Sequence, residues 1–206
     1  MGTDKVELTP EELYTKYVYP IATEQGVDPA LVMGLINAES SFRSRAFSGP
    51  VHQARGYMQL TPVAVEELRR RKQTDIPEGA DLDNYLYDPE INIRNGIAFL
   101  KGDLDWAKER GFTDKEGLAA YNIGRQKLLD VSKERGTDVG KWPGAVYVPR
   151  VLAGAKEWRG RIPEEVYSQV PEILATPVSE TGFVESIVDM FMNAWGKGEE
   201  DNGRTQ

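Results

Sequence analysis

The chain has 206 residues, 40% of them hydrophobic and 28% charged, with a formal net charge of −8. That length fits one domain with an appendage, and the apolar fraction suffices for a core. The absence of cysteine excludes disulfides, thiolate metal sites and a thiol nucleophile, and a single histidine, His52, excludes a histidine metal cluster and disfavours a serine–histidine triad. No apolar run is long enough to span a bilayer, so no transmembrane segment is expected.

Residues 1–9 read as a flexible N-terminus, and MGTDKVELTPEEL holds no hydrophobic signal region. Thr9 and Pro10 supply a cap and a first-turn proline for a helix that runs to about Gln25, with Leu13, Tyr17 and Ile21 as its apolar stripe and Gly26 as its stop. Asp28 and Pro29 start the next helix in the same way. There Leu31, Leu35, Ala38 and Phe42 recur at helical spacing, with Val32 and Ile36 beside them. Glu39 stands at the edge of that apolar face, near the helix end. A carboxyl so placed is partly desolvated, which raises its pKa and suits it to act as a general acid. The plainer alternative is a solvated glutamate at a helix C-terminus.

A loop rich in Ser, Gly and Arg follows and closes on GYMQLTP, residues 56–62. This turn is too apolar for an ordinary surface loop. Gln59 within it must find partners if buried; it either binds a polar ligand beside Glu39 or satisfies backbone groups of the turn. Val63, Val65 and Leu68 are expected inside a short helix, and 74–87 reads as a loop. Asp88 and Pro89 open the longest helix, with Ile93, Ile97, Leu100, Leu104 and Ala107 stepping by three and four; it is expected to be the central core helix, with Gly96 and Gly102 permitting close packing. Thr113 caps a helix ending in AAYNIG, where Gly124 is expected as a left-handed cap, and RQKLLDVSKERG follows as another helix. Tyr121 and Asn122, at that helix end, suit either a cleft wall or core packing and a turn. Residues 136–146 read as a loop, and Tyr147 opens a last helix through about Trp158. No alternating strand pattern is sustained, so the fold class is all-α.

The order ESSF (39–42), Ala46 and Ser48, GYMQLTP (56–62), DPEINIRNG (88–96), AAYNIG (119–124) and YVPRV (147–151) resembles the catalytic domain of lytic transglycosylases of the SLT type, whose fold is similar to goose-type lysozyme. Each motif is weak singly; together, in this order, they are specific. The resemblance covers about residues 28–158 and implies a lysozyme-like catalytic domain over 10–160. It implies peptidoglycan glycan strands as substrate, cleavage between N-acetylmuramic acid and N-acetylglucosamine, and a 1,6-anhydro product made with a single glutamate. On this resemblance Glu39 is the acid/base. Ser48 and Gln59 contact the acetamido or lactyl groups, Tyr121 stabilises the oxazolinium-like state, Asn122 shapes the cleft, and Tyr147 lines the wall near Glu39. No metal or cofactor is implied. For an enzyme acting at the bacterial envelope, in periplasm or wall, the lack of a signal region implies delivery in a virion, release at lysis, or a trimmed leader.

The chain departs from the family pattern twice. The stretch from Gly49 to Arg55 is longer than usual, with Gln53 where glycine is common. Lys141 to Ala145, including Trp142, replaces a stretch that often holds a glutamate. His52, inside the longer loop, reads as a surface histidine. Arg43, Arg45, Arg55 and Arg69 to Lys72 make the stretch after Glu39 basic, which favours an anionic polymer, although Arg69 to Lys72 also fit a solvated helix face. Nucleic acid is not expected, because no aromatic–basic pattern accompanies the patch.

Residues 161–179 read as a proline-containing linker, 180–196 as an amphipathic helix with Phe183, Ile187, Phe191 and Trp195 on one face, and 197–206 as a disordered tail. The acidic polar face of that helix disfavours an anionic membrane and favours docking on the domain or on a protein partner. The alternatives are a hydrolytic muramidase on the same fold, in which an aspartate positions water, and a non-catalytic glycan-binding component of a virion or secretion machine.

Overall fold

The centre of the molecule is a short helix enclosed on nearly all sides. The computed structural model describes residues 7–136 and 145–162; the expected linker, amphipathic helix and tail, apart from the first residues of the linker, lie outside them, as does Trp142. Helix α1 (Pro10–Leu13) continues through a π-helical turn (Tyr14–Val18) into α2 (Tyr19–Gln25). Thr9 and Glu12 form a reciprocal capping box at its start. The extra residue of the π turn rotates the inward face, so that Tyr14, Val18 and Tyr19 are buried while Tyr17 is only partly covered.

Helix α3 (Pro29–Ser40) follows, with the Asp28 side chain accepting from Ala30 N. Every residue of α3 except Asn37 and Glu39 is buried. The expected stripe on one face is therefore replaced by burial all round, and α3, rather than the longest helix, is the most enclosed element. The later helices are α4 (Pro62–Arg70), α5 (Asp83–Leu86), α6 (Pro89–Glu109), α7 (Asp114–Ile123), α8 (Arg125–Arg135) and α9 (Tyr147–Arg161). α5 places a helical turn inside the segment expected to be a loop. In α4 the inward positions are Ala64, Val65 and Leu68, and Val63 is 74% exposed. At 100° per residue, Val63 lies nearly opposite Val65 and cannot share its face.

The domain is all-helical among the described residues, with isolated bridges Phe47–Arg55 and Arg55–Leu60 tying the 46–60 loop together. A main core joins α1–α3, α6, α7 and α9. A smaller one holds Leu60, Ala64, Val65, Ile76 and Leu86, covered by Ile91 and Phe99 of α6. α6 thus presents apolar side chains to both clusters. The closest helix contact is α3 on α9, where Gly34 meets Gly154: a Cβ on Gly154 would stand 2.9 Å from the Gly34 Cα. Gly96 serves the same end on α6, where a Cβ would come within 2.7 Å of the Met58 Cβ. Gly124 has φ 83° and ψ 145°, a glycine conformation but an extended one, and it turns the chain directly from α7 into α8.

Candidate active site

Glu39 occupies the last turn of α3. The helix stops because Ser41 and Phe42 take φ of 51° and 61°, in the left-handed region that a bulky residue rarely enters. Phe42 is held there by packing on the core, edge-on to Trp158 at 6.3 Å. The Glu39 carboxyl is half-buried, and the hydroxyl of Tyr147, from the first residue of α9, donates to its Oε1 at 2.6 Å. The Gly34–Gly154 crossing brings α9 near enough for that bond. Burial pushes the Glu39 carboxyl up to about 7, against the opposing pull of the Tyr147 hydrogen bond and the Arg150 charge. Burial and then the Glu39 charge push Tyr147 well above its ordinary range, so it stays a hydroxyl donor. Tyr121 is pushed up by burial first, then by Glu39 and Asp103, which places it in the electrostatic field of the same carboxyl.

The 56–60 turn forms the next part of the site. Asn92 on α6 organises it: Met58 N donates to Asn92 Oδ1 at 2.9 Å, and Nδ2 donates to Arg55 O and Leu86 O, each at 2.9 Å. Gly56 has φ 77°, and a Cβ there would sit 2.7 Å from Asn92 Cγ, so the turn requires glycine on two counts. The Tyr121 hydroxyl donates to Met58 O at 2.7 Å, which locks the end of α7 onto this turn. Gln59, with φ 49°, donates its amide to Ala46 O and Gly56 O, each at 3.0 Å. The amide nitrogen therefore does the structural work foreseen as the plainer reading, while Oε1 keeps its acceptor capacity.

Ser48 is exposed. Its hydroxyl accepts from Ala54 N at 2.9 Å and its own N–H donates to Ala54 O, which closes the 48–54 loop. Gln53 has φ 53°, so the residue standing where the family favours glycine keeps the left-handed backbone. His52 is exposed on this loop. Asn122 is exposed at the end of α7, and its side chain makes no hydrogen bond to another described residue. The structure thus joins Glu39 directly to Tyr147, sets Tyr121 within their electrostatic reach, and ties Tyr121 and Gln59 to one turn; Ser48 and Asn122 stand on flanking segments.

Three functional neighbours escaped the sequence reading. Arg150 donates to Ala38 O and acts on Glu39 by charge. Asn92 organises the turn. Asp103 is buried on α6 and accepts from Arg125 Nε at 2.6 Å, with Arg125 also 3.3 Å from Glu67; burial pushes Asp103 up to about 6 against Arg125. Its spacing from Leu100 and Ala107, on the apolar stripe, was the available signal. Three cations of the basic stretch are paired: Arg55 with Asp83, Arg69 with Glu66, and Arg71 with Glu67. Arg69 also donates to Ile76 O at 3.0 Å. Arg69 and Arg71 are therefore held by the fold rather than part of a solvated face, whereas Arg43, Arg45, Arg70 and Lys72 are exposed and form no ion pair with another described residue. Among the described residues, no group of acidic or histidine side chains could hold a metal ion, and no helix is long and apolar enough to cross a membrane.

Residues 16–141 match the Transglycosylase SLT domain family, a span that ends before Tyr147 and Arg150. The membrane-bound lytic murein transglycosylase C of Actinobacillus pleuropneumoniae serotype 5b (strain L20) is 33% identical over 125 residues, covering 57% of this chain and 32% of the relative. The protein of the same description from Histophilus somni (strain 2336) is 31% identical over 124 residues, with 57% and 32% covered, and that from Haemophilus influenzae (strain PittEE) is 29% identical over 128 residues, with 57% and 33% covered. The match spans about a third of the length of these curated relatives. It takes in α3 with Glu39, the 56–60 turn, α6 and α7, the elements that build the site around Glu39, and on that ground the chain belongs to the Transglycosylase SLT domain family.

Proposed function

We propose that this protein is a peptidoglycan lytic transglycosylase that cleaves the β-1,4 bond between N-acetylmuramic acid and N-acetylglucosamine and leaves a 1,6-anhydro-muramyl end. The observation that carries this reading is the half-buried Glu39, pushed up to about 7, with the Tyr147 hydroxyl 2.6 Å away. A carboxyl with that proton affinity holds a proton near neutral pH and releases it readily, which suits one group to act first as acid and then as base.

In the first step the Glu39 proton passes to the glycosidic oxygen and the bond from that oxygen to the muramyl C1 breaks. The substrate's own 2-acetamido oxygen closes on C1 and takes up the positive charge. In the second step the Glu39 carboxylate removes the proton from the C6 hydroxyl; that oxygen attacks C1 and the acetamido oxygen leaves. Glu39 ends protonated and no water is consumed. Substrate assistance replaces the second carboxylate that most glycosidases need. Of the other candidates for such a carboxylate, Asp88 accepts from Ile91 N at 3.1 Å, Asp81 from Asp83 N at 3.1 Å, Asp83 pairs with Arg55, and Asp103 with Arg125, while Asp75 is exposed on the loop after α4.

Tyr147 holds the carboxyl in place and stabilises its ionised form. Tyr121, its proton committed to Met58 O, offers oxygen lone pairs to the cationic intermediate. Gln59 Oε1 and the Ser48 hydroxyl are left to meet the acetamido or lactyl groups, and Asn122 edges the cleft. Mass spectrometry of products from purified peptidoglycan tests the reading. Anhydro-muropeptides from the wild type and none from Glu39→Gln are expected. Reducing-end products from the wild type would instead mean hydrolysis, and binding without cleavage would mean a glycan-binding role.

A further inference from the structure

The C-terminal end of α3 sets a problem that the acid/base scheme leaves open. The last carbonyls of a helix carry the negative end of its dipole and lack partners within the helix. An ionised Glu39 in that turn is disfavoured twice, by burial and by the dipole, yet the second step needs the carboxylate. The normal partner of Ala38 O would be the N–H of Phe42, but the chain leaves the helix at Ser41 and Phe42. The Arg150 guanidinium takes that place, with Nη2 donating to Ala38 O. Ser40 O is covered separately by Arg43, through its N–H at 3.2 Å and its Nε at 3.0 Å.

We propose that Arg150 is a positioning residue for Glu39: by capping the Ala38 carbonyl it fixes the turn that carries the carboxyl, and its cation makes the ionised state accessible for the base half of the reaction. This rests on the acid/base reading of Glu39 above. Two features of the structure support it. Arg150 lies one turn along α9 from Tyr147, so a single helix face delivers both the hydroxyl and the charge. The groups acting on Glu39 are then few. From α9 they are Tyr147 by hydrogen bond and Arg150 by charge; from α7 Tyr121 couples to the same carboxyl, and from α6 Asp103 acts on Tyr121 and is itself paired with Arg125. Arg150 is the cation that acts on the Glu39 carboxyl.

The test compares wild type, Arg150→Lys and Arg150→Gln in two measurements. The first is a titration of the Glu39 side-chain carbon by NMR in the absence of substrate. The midpoint is expected to move to higher pH in Arg150→Gln and to return towards wild type in Arg150→Lys. The second is the pH profile of kcat/KM for peptidoglycan cleavage, whose alkaline limb is expected to move with that midpoint. A residue that only braces the fold would lower the rate and the melting temperature without moving either midpoint, and that result would overturn the proposal. If the NMR midpoint moves as expected while Glu39→Gln still cleaves peptidoglycan, the influence of Arg150 on Glu39 ionisation stands, but the acid/base reading fails and with it the catalytic part of the proposal. If Glu39→Gln is inactive and no midpoint moves in Arg150→Gln, the reading stands and the proposal fails.

Discussion

At the scale of single residues, opposing influences on Glu39 set its chemistry. Burial alone would leave a carboxyl that never ionises near neutral pH; full pairing would leave one that never protonates there. Tyr147 and Arg150 hold it between these limits. Tyr147→Phe keeps the ring and its packing and removes only the donor. A hydrogen bond to a charged group contributes about 1.5–3 kcal/mol, so a fall in kcat/KM of roughly 10- to 100-fold is expected. The sign of the pH effect follows from the hydrogen bond, which lowers the Glu39 value: its loss raises that value and carries the alkaline limb to higher pH. Kinetics across pH 5–9 (a window about Glu39's value of about 7) check both outcomes.

At the scale of elements, the site depends on a helix crossing and a clamped turn. The α3–α9 crossing is close because Gly34 and Gly154 face each other, and a Cβ on Gly34 would meet Val151 O and stand 2.6 Å from Ala155 N. Those are backbone atoms of α9 and cannot swing aside. Gly34→Ala gains up to about 1 kcal/mol of helix propensity and loses more to overpacking, typically about 1–3 kcal/mol. Net destabilisation is therefore expected in urea unfolding, with activity falling further than stability because α9 carries Tyr147 away from Glu39. Asn92→Ala removes hydrogen bonds to Met58, Arg55 and Leu86 in one stroke. A loss of about 2–4 kcal/mol is expected from the buried groups left unpaired, read as a lowered denaturation midpoint.

At the scale of the whole molecule, the buried carboxyls shape stability against pH. Glu39 rises from 4.5 to about 7 on folding, and Asp103 from 3.8 to about 6. Both are held more tightly protonated in the folded chain than in the unfolded one. Their contribution is fully present below the unfolded values and is lost as pH rises through the folded ones. Glu39→Gln removes this loss for one site. The variant should match the wild type near pH 4 and exceed it near pH 8 by about 1–3 kcal/mol, a range that allows for the half-exposed position of the carboxyl. Thermal melts at the two pH values check this. A variant equally stable relative to wild type at both would mean that Glu39 ionises without strain in the folded protein.

The sequence by itself determined the longer helices, their caps and the candidate carboxyl, but not the short α5 or the π turn. Capping residues and apolar spacing are local properties, and Thr9, Asp28, Asp88 and Thr113 cap where they were read to cap. Family membership was legible too, from motifs whose order survives along the chain, and the close packing expected at Gly96 is present against Met58. Only the tertiary structure decided which side chains meet. The bond from Tyr147 to Glu39 spans 108 residues of sequence, and that from Arg150 to Ala38 spans 112. No local pattern encodes such contacts; they follow from two glycines that let two helices approach. Burial on all sides of α3 is carried by the unbroken apolar run from Pro29 to Ile36, which a search for a single apolar face passes over. The proton affinity of Glu39, which depends on that enclosure and on charges delivered by a distant helix, could be set by nothing less than the folded chain.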